Sequence, residues 1–69
     1  MNTLDKQIII LLEDIRSVHT TIHNIEYEIK QIARIYNNSE LLQQANKLEQ
    51  AMKILTETAY KLRDFWVGH

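Results

Sequence analysis

Residues 4–36, LDKQIIILLEDIRSVHTTIHNIEYEIKQIARIY, decide the fold, because their apolar side chains recur at alternating steps of four and three. The recurring residues are Leu4, Ile8, Leu11, Ile15, Val18, Ile22, Ile25, Ile29, Ile32 and Tyr36. This is the a/d pattern of a coiled-coil seam, with Ile8 at an a position. It predicts one long amphipathic helix over about residues 3–36.

A second ladder with the same steps follows a short polar break. Its residues are Leu41, Ala45, Leu48, Met52, Leu55, Ala59, Leu62 and Trp66. They predict a second helix over about residues 39–66. Asn tolerates the left-handed conformation that ends a helix, and Asn38 or Ser39 can cap the next one. Residues 37–39 are therefore a predicted turn, and Asn2 or Thr3 is the predicted cap of the first helix.

Length and composition limit what the chain can be. Its 69 residues predict one domain, residues 1–69, and the absence of cysteine excludes disulfides and thiolate metal sites. There is no proline and one glycine, so a β-rich fold lacks its turn residues. The fold class we predict is all-α: an antiparallel, coiled-coil-like two-helix hairpin that associates with a partner or dimerises with itself.

Charge and hydropathy argue against nucleic acid and membrane partners. The formal net charge is −1, and acidic residues interrupt the basic ones on the second helix, so there is no one-signed stripe for a nucleic acid. The longest apolar run, residues 8–12, is too short for a signal peptide or a membrane span. We expect a cytoplasmic protein.

The short turn also predicts a register between the helices. If Tyr36 faces Leu41, then Leu11 faces Trp66, and the first helix extends past the end of the second. In this register Leu4 has no facing residue and Ile8 meets only the chain end. The apolar run that surrounds the helix here is then left uncovered, although a helix that is apolar on all sides is normally buried.

Further apolar residues fall at c and g positions, on one side of the hairpin. With the N-terminal overhang they form the predicted partner-binding surface: Ile9, Ile10, Leu12, Ile35, Ala51, Ile54, Thr58 and Phe65. Two helices cannot enclose a core, and uncovered apolar patches usually mark protein interfaces. Self-association into a four-helix bundle would bury the same residues, and the sequence leaves both alternatives open.

Catalytic, cofactor and metal sites are not expected. His19 and His23 share one flank with Glu26, and imidazoles four residues apart can grip a divalent ion, with Glu49 as a further ligand. The simpler interpretation, which we adopt, is a pair of surface histidines, so no metal and no cofactor is predicted. No nucleophile with a base, phosphate loop or cleft is recognisable, and the chain is not expected to be an enzyme.

Residues 48–55, LEQAMKIL, are similar to the Leu-Glu-x-Ala-φ-x-Ile-φ stretch (φ apolar) of a known family. Together with the size, the two helices and the polar turn, they resemble the small co-chaperones of the type III secretion needle (YscE-type proteins). The resemblance implies a cytoplasmic hairpin that binds a tetratricopeptide-like helical chaperone and helps keep the secreted needle subunit soluble before export. It places Ala51, Ile54 and Leu55 in the stretch used for packing or partner contact. The alternative function is a homodimeric four-helix-bundle regulator of plasmid or phage type.

Overall fold

Two long helices form the chain. The computed structural model describes residues 2–68, in which α1 spans Thr3–Ile35 and α2 spans Ser39–Val67. The helices pack against each other as an antiparallel hairpin, and its Cα atoms extend over 52 × 16 × 10 Å. The predicted all-α hairpin is therefore confirmed. No helix within residues 2–68 combines the length and apolar character needed to cross a bilayer.

Asparagines set the ends of both helices. The Asn2 side chain accepts a 2.8 Å hydrogen bond from the Asp5 backbone N–H at the start of α1. After α1, Asn37 adopts a φ of 51° and the Asn38 N–H donates to the Ala33 carbonyl, as in a Schellman motif. Asn38 then caps α2 by accepting from the Leu41 N–H at 3.0 Å. One left-handed Asn thus reverses the chain, and the next Asn starts the second helix.

The seam on α2 lies where the sequence predicts it. Its a and d residues are all buried or half-buried, with Ala45 fully buried and Met52 9% exposed. Because both rows of this helix face α1, the period-3.5 pattern identified the correct side of α2.

The seam on α1 is rotated from the predicted position, so the sequence-based assignment of its d residues to the seam is wrong. The a residues Ile8, Ile15, Ile22 and Ile29 are buried or half-buried, but four d residues are 44–47% exposed: Leu11, Val18, Ile25 and Ile32. Tyr36, also assigned to the seam, is exposed. The row that packs on α2 instead lies one residue further along: Leu12, His19, Glu26 and Ala33.

Residue size and charge favour this rotation. Ala33 on α1 and Ala45 on α2 are 3% and 0% exposed, and small side chains near the turn let the two helices approach closely. The rotation also places Lys30 where its ammonium donates to Glu26 on its own helix and to Glu49 on α2. Bulky Ile32 or Ile25 in the seam would hold the helices further apart.

The N-terminal overhang is better covered than the sequence predicts. Ile8 is buried, whereas the predicted register left it at the chain end. Leu11, the predicted partner of Trp66, is 46% exposed, and the Trp66 indole Nε1 donates a 2.7 Å hydrogen bond to Asp5 Oδ1, in the first turn of α1. The α1 rotation turns Leu11 outward, and the long Trp66 side chain reaches the N-terminal turn.

Candidate protein-interaction face

An exposed apolar row runs along α1. Leu11, Val18, Ile25 and Ile32 are each separated by seven residues, so they form a nearly straight line of about 32 Å along the helix. Each side chain is close to half exposed. The half-buried a residues of the seam lie beside this line, so a second body lying on it would meet both rows.

α2 contributes a parallel row on the same side of the hairpin. We define the apolar face by the four α1 residues above and four residues of α2: Ala51, Ile54, Thr58 and Phe65. In α2, Ile54 is 62% and Phe65 is 50% exposed. The exposed Thr58 donates its hydroxyl to the Ile54 carbonyl at 2.8 Å, so the polar group of this side chain is satisfied within α2.

The opposite side of the hairpin is a polar groove, which fixes the side on which the apolar face lies. His19 and His23 of α1 line it together with Glu49, Thr56 and Tyr60 of α2. These residues occupy e and b positions on both helices. In an antiparallel pair, the e positions of both helices lie on one side of the seam, so the g row of α2 lies on the other side. The rotation of α1 places its d row on that side as well.

The polar groove does not gather a metal-binding cluster. Within residues 2–68, no three His, Cys, Asp or Glu side chains come together in a suitable arrangement. His19 is half-buried in the groove and His23 is exposed. Glu26, suggested as a third ligand, is turned into the helix interface and bonded to Lys30.

One charged trio crosses the helix interface. The Lys30 Nζ donates to Glu26 Oε1 at 2.7 Å and to Glu49 Oε1 at 2.8 Å. The hydrogen bond to Glu26, followed by the one to Glu49, raises the pKa of Lys30 above its ordinary value of 10.5. The hydrogen bond from Lys30 lowers the pKa of Glu49 below its ordinary value of 4.5. Glu26 is only 6% exposed, and among residues 2–68 its one ion pair is with Lys30.

Charges of opposite sign border the apolar face. By helical spacing, Asp14 and Glu28 lie on its α1 edge, and Lys47 and Lys61 lie on its α2 edge. In the described part of the chain, the ion pairs all involve Lys30, so these four residues are not paired within the hairpin. One edge is therefore acidic and the other basic.

The structure divides the sequence-predicted partner-binding residues between the two sides. Ile10, Ile35, Ile54, Thr58 and Phe65 are exposed, and Ala51 is half-buried. Ile9 and Leu12 are half-buried as well. Leu12 lines a groove with His19 and Arg63, on the polar side, and so lies away from the apolar face.

Sequence reasoning missed the row formed by Leu11, Val18, Ile25 and Ile32, because the same pattern assigned these residues to the seam. The available signal was that Leu12 and Ala33, one position further along, are also apolar. An apolar arc wide enough to include d, a and e positions covers about 100° of a helix, which is typical of a bundle helix with two neighbours.

In the comparisons with known proteins, no family model, no curated protein and no solved structure gave a significant match to this chain. The resemblance to the needle co-chaperones therefore stays a prediction.

Proposed function

We propose that this chain is a protein-interaction adaptor, a helical hairpin that docks its apolar face on the helices of another protein. The observation that carries the proposal is the row of four α1 side chains, each 44–47% exposed, in line over about 32 Å. Burying a fully exposed side chain of this kind is worth roughly 1.5–3 kcal/mol of transfer free energy, so covering the remaining half of each of these four would contribute about half of that.

The spacing of this row fits a partner helix lying in the groove between α1 and α2. Neighbouring residues of the row are seven positions, or two helical turns, apart on α1. The half-buried a residues Ile15, Ile22 and Ile29 lie between them. Across the groove, Ala51 and Thr58 are small, which leaves space for the partner's side chains. Affinity would come from apolar anchors, with the charged edges setting orientation.

Within the adaptor class we propose a co-chaperone of the type III secretion needle, as the resemblance implies. Its partners would be a tetratricopeptide-like chaperone and the needle subunit, in the cytoplasm. In the stretch that carries the resemblance, Leu48, Met52 and Leu55 lie in the seam with α1. Ala51 and Ile54 of the same stretch lie on the apolar face, so one motif serves both packing and docking.

Affinity capture from the native host tests this function. The tagged wild-type chain is compared with the double variant Ile25→Asp/Ile54→Asp, and bound proteins are identified. The matched control is Tyr27→Asp/Tyr60→Asp, which places the same charges at exposed aromatic positions away from the apolar face. We expect the wild type and the control to retain a helical chaperone and the face variant to lose it. Equal retention by all three proteins would place the docking surface elsewhere.

A second function, the homodimeric four-helix-bundle regulator, is supported by the distribution of charge at the two edges. An acidic edge and a basic edge on one face make that face complementary to itself. A stable dimer that captures no other protein in the experiment above would favour this function over the adaptor.

A further inference from the structure

The four edge charges are arranged in level pairs. Asp14 lies 21 residues before the end of α1, and Lys61 lies 22 residues after the start of α2. Glu28 lies 7 residues before the end of α1, and Lys47 lies 8 residues after the start of α2. Because the helices are antiparallel and joined by a short turn, each acid is level with a lysine on the opposite edge of the face.

Two copies of the hairpin can stack their apolar faces with two-fold symmetry in two ways. If the symmetry axis runs along the helices, the two turns lie at the same end and α1 of each copy covers α2 of the other. If the axis runs across the helices, the turns lie at opposite ends and α1 covers α1. The edge charges distinguish the two arrangements.

With the turns at the same end, the acidic edge of each copy meets the basic edge of the other. Asp14 then lies beside the partner's Lys61, and Glu28 lies beside the partner's Lys47, at nearly equal heights. With the turns at opposite ends, acid faces acid along α1 and lysine faces lysine along α2. Like charges brought together at an interface disfavour the wrong arrangement, so the pattern selects the first.

Side-chain sizes in the interior agree with the same arrangement. Ile25 would lie over the partner's Ala51 and Val18 over the partner's Thr58, with offsets of about 3 Å along the axis. Large residues over small ones give the interdigitation that close helix packing requires. All adjacent helices in the resulting four-helix bundle are antiparallel.

The broad side of the hairpin is similar in size to the surface that each partner of a stable dimer typically contributes. The broad side of the hairpin measures 52 × 16 Å over its Cα atoms, which is about 800 Å² in projection. Specific interfaces typically bury about 800 Å² on each partner. A chain of 69 residues also gains little from its own core, since only four hydrophobic side chains are buried among residues 2–68.

We infer that, in the isolated protein, a second copy of this chain covers the apolar face, in a two-fold dimer with both turns at the same end. The inference rests on the proposed function only in taking the apolar face as an interaction surface. A foreign helical partner would have to displace the second copy. The dimer is therefore the form in which the adaptor keeps its apolar face out of water.

Sedimentation and spin labelling test the dimer and its orientation. We expect the purified wild-type chain to sediment as a dimer at tens of micromolar. A nitroxide on Ser39→Cys, at the exposed first residue of α2, reports the distance between the two turns. It should give a separation of roughly 20–30 Å, given interaxial distances of 8–10 Å. A separation near the 52 Å length of the hairpin would overturn the orientation. A monomer at these concentrations would overturn the inference itself.

Charge reversal tests the pairing directly. Asp14→Lys should raise the dimer dissociation constant by about tenfold, because two symmetric attractions become repulsions. The second change Lys61→Glu should restore it, and 1 M salt should reduce both effects. Glu13→Lys makes the same charge change on the neighbouring exposed residue, off the apolar face, and should leave dimerisation unchanged. If Asp14→Lys strengthens the dimer or has no effect, the charge pairing is wrong.

These outcomes are separable from those of the capture experiment. A wild-type monomer that still captures a helical chaperone through the apolar face would overturn the dimer and leave the adaptor standing. A dimer that shows the expected charge response but captures no other protein would support the dimer and overturn the adaptor. Circular dichroism on each variant confirms that it remains helical before its association is interpreted.

Discussion

The indole Nε1 of Trp66 donates a 2.7 Å hydrogen bond to Oδ1 of Asp5, and this bond joins the last turn of α2 to the first turn of α1. The two residues are 61 positions apart in the chain, so the contact closes the hairpin at the end opposite the turn. The backbone N–H of Asp5 donates to the Asn2 cap. One residue therefore takes part both in starting α1 and in holding α2 against it.

Replacing Trp66 with Phe should lower the free energy of unfolding by roughly 1.5–3 kcal/mol, the range expected for a hydrogen bond to a charged acceptor. Phe keeps most of the apolar ring area but has no N–H to donate. Urea unfolding followed by circular dichroism measures the change, at one protein concentration because association also contributes to stability. A double-mutant cycle supplies the control: Trp66→Phe should cost little in an Asp5→Ala background. Equal costs in the two backgrounds would show that the two side chains do not interact.

The two helices and the turn could be predicted from the sequence because both depend on local residue patterns. Apolar residues every three or four positions predict a helix, and asparagines at 37 and 38 suit a left-handed stop and an N-cap. The helix ends in the structure lie within one residue of the predicted ones.

The rotation of α1 could not be predicted because it depends on contacts between the helices. Apolar residues at d, a and e positions form an arc about 100° wide that contains two possible seams, d with a or a with e, and periodicity alone does not choose between them. Small Ala33 at the interface and the position of Lys30 between two carboxylates favour one seam. The seam on α2 lies where the pattern predicts it, so Ile54 and Phe65 are exposed as expected. The seam on α1 is rotated, so Ile25 and Ile32, which were expected to be covered by α2, are exposed.

Two adjacent substitutions test the rotated seam. Ala33→Glu places a carboxylate where the side chain is 3% exposed, while Ile32→Glu places it where the side chain is 47% exposed. Burying an unpaired charge is far more costly than exposing one, so Ala33→Glu should be the more destabilising by at least about 2 kcal/mol. The measurement is thermal unfolding by circular dichroism at low micromolar concentration. The sequence-predicted seam requires the reverse order, with Ile32→Glu the more damaging change.

Removing the counter-charge of Glu26 should be worse than removing Glu26 itself. Lys30→Met leaves a carboxylate that is 6% exposed with no cation beside it, so we expect a clear loss of stability. Glu26→Met fills the same space with an apolar side chain and leaves Lys30 bonded to Glu49, so its effect should be close to neutral or stabilising. Melting temperatures of the two variants and the wild type, taken at the same concentration, give the order. Equal losses of stability for both substitutions would show that the charged Glu26 side chain itself stabilises the fold.

The Lys30–Glu49 pair predicts how stability depends on pH. Because the bond from Lys30 lowers the pKa of Glu49 in the folded state, its contribution is complete above the ordinary value of 4.5 and disappears as the pH falls through the lowered value. The pKa of Lys30 is raised, so its contribution is complete below 10.5 and is lost as the pH rises through the raised value. Glu49→Gln should therefore be less stable than the wild type at pH 7, and the difference should shrink towards zero in acid below the lowered pKa. Thermal melts of both proteins between pH 7 and pH 2 measure it, with Glu57→Gln, at another exposed position of α2, as the control. A difference that stays constant across this range would mean that the stabilisation by Glu49 does not come from its charge.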